Sequence, residues 1–254
     1  MNIEACFMQA FLPLMIDLKD KFMKNLAYRS LQNRKFIASY SGGKDSSLAL
    51  YHAMQTGTAV ALIVMLEEQG LRSRSHAMPL DIIHAQAAAL GLPILKTAAT
   101  WENYEQQFIQ LLDQAKQYDA EILVTGDIDL IGHAEWNQSV CERSKLELCM
   151  PLWQKPRLDV VNELIELGFK CIIVTINLNL GMKIEDLGQI LTQDFVDELI
   201  SRGIDPCGEL GEFHTTVIDA PMFKTPLSVH KGDILYHENY AFLALELEHR
   251  EFKE

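Results

Sequence analysis

The sequence predicts an α/β protein built on a doubly wound parallel sheet, followed by a smaller C-terminal α+β region. Three observations predict it. Short runs such as Ala59–Leu66 (AVALIVML) are apolar throughout, as strands buried on both faces are. From Lys35 to Met150 these runs alternate with helical segments, which gives parallel strands joined by right-handed crossovers. After Pro151-Leu152-Trp153 that rhythm stops and a hairpin-like pattern takes over.

Taken in order, Phe36–Tyr40 (FIASY) reads as the first strand and Asp45–Gln55 as the first helix, with Leu48, Leu50, Tyr51 and Met54 facing inward. Ala59–Leu66 is the second strand, and Pro79–Leu90 a helix that Gly91 ends. Pro93–Lys96 begins a third strand, Tyr104–Gln117 a third helix, and Glu121–Thr125 (EILVT) a fourth strand stopped by Gly126. A helix over His133–Lys145 and a strand at Leu146–Met150 complete the series. Beyond it come a helix at Leu158–Leu167, a strand at Lys170–Ile176 and a helix at Phe195–Ser201. Pro206–Thr215 reads as loop and Thr216–Asp219 as strand. Gly232-Asp233 between Leu227–His230 and Ile234–Leu245 reads as a hairpin turn. The expected division is a helical extension over 1–34, a main α/β domain over 35–150 and a second domain over 151–254.

A chain of 254 residues buries a substantial core, and its 48% hydrophobic and 22% charged residues suit a globular protein. Its 35 acidic against 22 basic residues give a formal charge of −13, which argues against broad polyanion binding and against a nucleic-acid partner. The five cysteines are odd in number and form no C-x-x-C pair, so a disulfide framework or four-cysteine zinc site is not expected. Cys207, beside Gly208 in a polar stretch, is the one to check for exposure. Ala5–Ile16 is too short to span a bilayer and poorly formed as a secretion signal, so the expected location is cytoplasmic, with no membrane partner.

Chemistry concentrates in Ser41–Ser47 (SGGKDSS), between the first strand and first helix. Gly42 and Gly43 let backbone N–H groups approach an anion without a Cβ in the way. The helix N-terminus points its positive end at the same place. Ser41, Ser46 and Ser47 add hydroxyls and Lys44 adds charge, all suited to phosphate oxygens. Asp45 is repelled by a polyphosphate unless a cation intervenes, so it is the candidate Mg²⁺ ligand. The loop is not a Walker A sequence, because Lys44 is followed by Asp45 rather than Ser or Thr.

SGGKDSS after a first strand resembles the hallmark of the PP-loop ATP pyrophosphatases. That resemblance implies cleavage of ATP between its α and β phosphates, with AMP left on the substrate. It implies that Ser41, Gly42, Gly43, Asp45, Ser46 and Ser47 hold the pyrophosphate part and Mg²⁺. It places Gly126 and Asp127 in the nucleotide pocket and gives Met65 a backbone contact to adenine. Residues 35–150 would then be the ATP-binding domain and 151–254 the substrate-binding domain.

Within that group the chain looks most like the diphthine–ammonia ligase family. The motifs are SGGKDSSLALYHA at Ser41–Ala53, HAMP at His76–Pro79, ALGLP at Ala89–Pro93 and GDI at Gly126–Ile128, followed by PLW at Pro151–Trp153, GFKCIIV at Gly168–Val174 and GELGEFHTTVIDAP at Gly208–Pro221. HAMP replaces the family's usual HTP-like turn, and Leu210 takes the place of the first glycine in its last motif. The implied reaction adenylates a carboxylate, on a protein side chain or a small molecule, and displaces AMP with ammonia. No glutaminase domain is visible, so free ammonia or a separate donor is implied.

Glu209, Gly211, Glu212, His214 and His76 are the candidate substrate-binding residues, with Lys44, Asp45, Glu212 and His214 the candidate catalytic set. Glu212 and His214 have the i,i+2 spacing that shares one face of an extended strand, and histidine has a suitable intrinsic pKa for proton transfer. His133 and Trp136 fall on the lip of the expected crevice. Two rivals are a PP-loop tRNA-modifying enzyme, marked by salt-sensitive tRNA binding, and a nucleotide-binding regulator without catalysis. The acceptor and the oligomeric state, homo-oligomer included, stay open.

Overall fold

The computed structural model describes residues 31–74 and 77–248. Most of the expected helical extension, Cys6 and His76 lie outside the described residues. Five strands, β1 (Lys35–Ser39), β2 (Thr58–Leu66), β3 (Ile94–Ala98), β4 (Ile122–Val124) and β5 (Glu147–Cys149), pair in parallel in the order β3-β2-β1-β4-β5. The order reverses beside β1, so the loops after β1 and β4 open a crevice at the carboxyl ends of the strands.

Continuous apolarity has its expected cause. Phe36 and Ala38 of β1, with Leu62 and Val64 of β2, pack against α1 (Lys44–Met54) and α2 (Leu80–Leu90). Ile37, Ala61 and Ile63 turn to the opposite face, where α3 (Tyr104–Ala115) and α4 (Ile131–Ser144) cover them. At roughly 25 cal/mol per Å² of apolar surface, such double coverage makes each strand side chain stabilising. Gly91 ends α2 in left-handed backbone (φ +73°), its N–H donating to the last-turn carbonyls of Ala87 and Ala88.

The remaining elements are α5 (Arg157–Glu166), β6 (Lys170–Asn177), α6 (Gln193–Ser201), β7 (Phe213–Asp219), β8 (Val229–His237) and β9 (Tyr240–Leu247). The four strands form a second sheet in the order β7-β6-β9-β8, antiparallel throughout. Its apolar side chains, among them Ile173, Ile176, Phe213, Val217 and Leu245, belong to the same buried cluster as the α1–α2 face of the first sheet.

Two expectations are corrected here. The hairpin turns at Glu238-Asn239, not at Gly232-Asp233, and the β8–β9 ladder runs from Val229–Leu247 to His237–Tyr240. Gly232-Asp233 instead sits where the register shifts between Lys231 and Ile234. A bulge and a turn draw on the same residue types, which is why the sequence suggests the wrong one. Likewise β7 begins at Phe213 rather than Thr216, so His214 and Thr215 lie in a strand instead of a loop. Pairing with β6 extends it: His214 lies opposite Thr175 and Phe213 opposite Ile176.

Candidate active site

The loop after β1 is shaped by close approaches that exclude side chains. Gly42 lies at φ +81°, and a Cβ there would come 2.5 Å from Gln86 Oε1. At the end of β4, a Cβ on Gly126 would stand 2.7 Å from both Asp45 C and Ser46 N. Backbone therefore meets the N-terminus of α1 directly. Gly43 caps α1 in extended backbone without a side-chain acceptor, leaving first-turn N–H groups for other acceptors. Thr215 Oγ1 accepts from the N–H of Lys44 at 3.1 Å. The hydroxyls of Ser41 and Ser46 lie 3.0 Å apart, and Ser46 Oγ donates to the Gly43 carbonyl at 3.2 Å. Ser47 faces the core instead and donates to Tyr40 Oη at 3.3 Å.

The edge strand β7 holds this loop from the other side. Val217 N–H donates to the Gly42 carbonyl at 3.0 Å. Buried Gln86 of α2 donates through Nε2 to the same carbonyl at 3.0 Å and to the Val217 carbonyl at 2.7 Å. Gln86 and Thr215 carry no signal that singles them out in the sequence. Only the folded chain brings them to the loop.

Charge is concentrated at the start of α1. Lys44 is buried, with its Nζ 2.7 Å from Asp45 Oδ2 and 3.8 Å from Glu209 Oε1. Burial alone would pull its ammonium pKa down, but the carboxylates of Asp45 and Glu209 more than offset this and raise it. Burial, reinforced by repulsion from Asp45, pushes the Glu209 carboxyl up to about 7. Cys207 is buried, not exposed, and its Sγ donates to Asp45 Oδ1 at 3.9 Å. Burial keeps that thiol well above its ordinary range, hence protonated.

The other predicted residues fall as follows. Glu212 is buried just before β7, and its carboxylate accepts from the N–H of Leu210 at 3.0 Å, closing its own loop. His214 lies part-buried on β7, where burial and then the Lys44 charge push its imidazole down to about 4. Gly211 has φ +87° with open space at its Cβ position. Asp127 accepts from Asn137 Nδ2 at 2.8 Å and lies 3.0 Å from His133 Nδ1. Burial would raise its carboxyl pKa, but these partners outweigh that and lower it. Met65 ends β2 with its carbonyl already accepting from the N–H of Arg74 at 3.0 Å. Trp136 packs on Phe108 at 5.0 Å between ring centroids and donates to Glu105 at 3.0 Å.

Sequence reasoning missed Arg157, the first residue of α5. Its Nε and Nη2 form a fork on Asp129 at 2.7 and 3.0 Å, and Nη1 reaches Asp205 at 2.5 Å. Asp205 in turn accepts from the N–H groups of Cys207 at 2.9 Å and Glu209 at 3.3 Å. One guanidinium thus ties the loop after β4 to the loop that carries Glu209.

A parallel sheet with a double-glycine loop after its first strand, and with Lys44 and Asp45 at the following helix N-terminus, defines a nucleotide-binding fold of the PP-loop kind. Residues 34–148 match the diphthamide synthase N-terminal domain and residues 156–250 the diphthamide synthase C-terminal domain. The chain belongs to the diphthamide synthase family. Among relatives named diphthine–ammonia ligase, the protein of Bos taurus is 32% identical, over 82% of this chain and 87% of its own length. That of Mus musculus is 25% identical over 82% of this chain and 87% of its own. The chain spans only 38% of the Schizosaccharomyces pombe protein, which is 25% identical over 81% of this chain. A solved structure described as a predicted subunit of tRNA methyltransferase from Methanocaldococcus jannaschii covers 74% of this chain and 98% of its own, at 18% identity and a TM-score of 0.40. Among the described residues no helix is long and apolar enough to cross a membrane.

Proposed function

We propose that this chain is an ATP-dependent ligase that adenylates a substrate carboxylate, releases pyrophosphate and forms an amide with ammonia. The relatives' name makes diphthine the leading acceptor. In this reading residues 35–150 bind ATP and residues 151–254 bind the acceptor. One observation carries it. The loop Ser41–Ser46 presents a helix N-terminus and Lys44, and the second half of the chain delivers Glu209 to within 3.8 Å of that same lysine. The loop's cationic side chain and a carboxylate from the second half of the chain are therefore neighbours.

The residues fit a triphosphate and a hard cation. Glycine at 42 and 126 leaves no side chain where backbone crowds the start of α1. Asp45, Cys207 and Glu209 bring ligand atoms within 4.8 Å of one another. With the Cys207 thiol protonated and the Glu209 carboxyl raised by burial, the Asp45 carboxylate is the donor of the kind Mg²⁺ prefers beside phosphate. When bound, Mg²⁺ supplies charge neutralisation on the phosphate oxygens.

Lys44 and the first-turn N–H groups stabilise charge building on the leaving pyrophosphate as the carboxylate oxygen attacks the α-phosphorus and the bond to the β-phosphate breaks. Ammonia then attacks the acyl carbon, the bond to AMP breaks, and the nitrogen loses a proton. Glu209, with its carboxyl near 7, is balanced to take that proton at physiological pH. His214, neutral at physiological pH, and Glu212 are the candidate orienting groups.

Asp45→Ala decides the reading. In a protein whose circular dichroism is unchanged, we expect loss of pyrophosphate release in the presence of acceptor and ammonia. Turnover equal to the parent would overturn the mechanism.

A further inference from the structure

The nucleotide reading leaves the base unaccounted for, and an unusual tryptophan stands where it is needed. Trp101 is 75% exposed, more than any other large apolar side chain among the described residues. Its segment is nonetheless fixed. Thr100 N–H donates to Asn103 Oδ1 at 2.8 Å, and Asn103 N–H donates back to Thr100 Oγ1 at 3.3 Å. One face of the indole lies over the Arg74 guanidinium, 4.7 Å from the ring centroid. Tyr104 packs alongside at 5.9 Å.

Arg74 is itself immobilised. Its side chain is only 9% exposed, Nη2 donates to the Ala99 carbonyl, and Nε is buried without an acceptor among the described residues. Nη2 also pairs with Glu68 Oε1 at 3.7 Å, so a charged group held by Glu68 and the Ala99 carbonyl lies under one face of a ring whose other face is left in water. Rigid aromatic surface presented in this way is a feature of ligand platforms rather than of core packing.

Position supplies the second half of the argument. Trp101 follows β3 and the phosphate loop follows β1, at the same end of a parallel sheet, with β2 between them. The strands they follow lie two spacings apart, roughly 9–10 Å, within the span of an extended nucleoside triphosphate. The Met65 carbonyl, at the end of the intervening strand, is already taken by Arg74 N–H. That leaves this carbonyl one lone pair for the edge of a base, and a stacking face adds a second kind of contact.

We propose that the open face of Trp101, backed by Arg74, is the stacking seat for the purine base of the nucleotide whose phosphates lie on Ser41–Ser46. The proposal rests on the nucleotide reading of that loop. It adds the residue that favours a bicyclic base, through larger ring overlap, over a pyrimidine.

The test is calorimetric titration of the full chain with α,β-methylene-ATP and, separately, with inorganic tripolyphosphate, which lacks a base. We expect Trp101→Ala to weaken the ATP analogue about tenfold or more, Trp101→Phe to retain most of the affinity, and neither to change tripolyphosphate binding. Equal analogue affinity in parent and Trp101→Ala would overturn the stack and leave this surface to another occupant, such as a protein partner. Parent protein that binds neither ligand would overturn the loop reading itself, and this proposal with it.

Discussion

Glu209 and His214 face the same lysine, and their protonation is displaced in opposite directions. Burial and Asp45 push Glu209 up to about 7, whereas burial and Lys44 push His214 down to about 4. The signs follow from linkage. Between about 4.5 and 7 the folded chain keeps a proton on Glu209 that the unfolded chain has released, so this group's stabilisation falls as pH rises. Between about 4 and 6.5 the unfolded chain binds a proton on His214 that the folded chain does not, so stability is lost as pH falls. The two slopes oppose and mask one another in the parent. Thermal unfolding across this range should show His214→Gln losing less stability than the parent on acidification. Parallel curves would remove His214 from this balance. The sequence named both residues but not their displacement, which depends on burial and on Lys44, far away in the chain.

At the scale of elements, the Ser41–Ser47 loop is held by partners outside its own strand and helix. Gln86 of α2 donates to the carbonyls of Gly42 and Val217, and so clamps the loop to β7. Gln86→Leu removes both donors while the carbonyls stay buried. We expect a loss of roughly 1–3 kcal/mol in denaturant unfolding, by the usual cost of a buried polar group left unmade. A stability unchanged by the substitution would show that β7 alone secures the loop. Strands β1 to β5 were legible because burial on both faces leaves a continuous apolar run. The start of β7 and the turn of the hairpin were not. Phe213–Thr215 becomes strand only by pairing with β6, and Gly232-Asp233 becomes a bulge only in register with β9.

Across the whole molecule, the two sheets share one apolar cluster, and Arg157 ties a loop of the first to a loop leading into the second. Its fork on Asp129 fixes the loop after β4, and its hold on Asp205 fixes the loop bearing Cys207 and Glu209. Geometry of this kind matters more to the joining of two substrates than to the binding of either one. Arg157→Met should therefore leave ATP-analogue affinity nearly unchanged while turnover falls roughly 10- to 100-fold, as small misplacements do. Equal losses in affinity and turnover would mean that Arg157 supports the nucleotide pocket alone.

By itself the sequence determined the parallel sheet, the double-glycine loop between its first strand and first helix, and the family. Each is written in local patterns, whether a run of apolar residues, a double glycine before a helix, or an ordered series of motifs. Tertiary structure alone decided what surrounds that loop. Gln86, Thr215, Arg157 and Glu209 come from elements distant in the chain, and Trp101 gained its meaning from an exposed face. The physical reason is that desolvation, charge coupling and ring exposure depend on neighbours in space, and topology rather than local pattern chooses those neighbours.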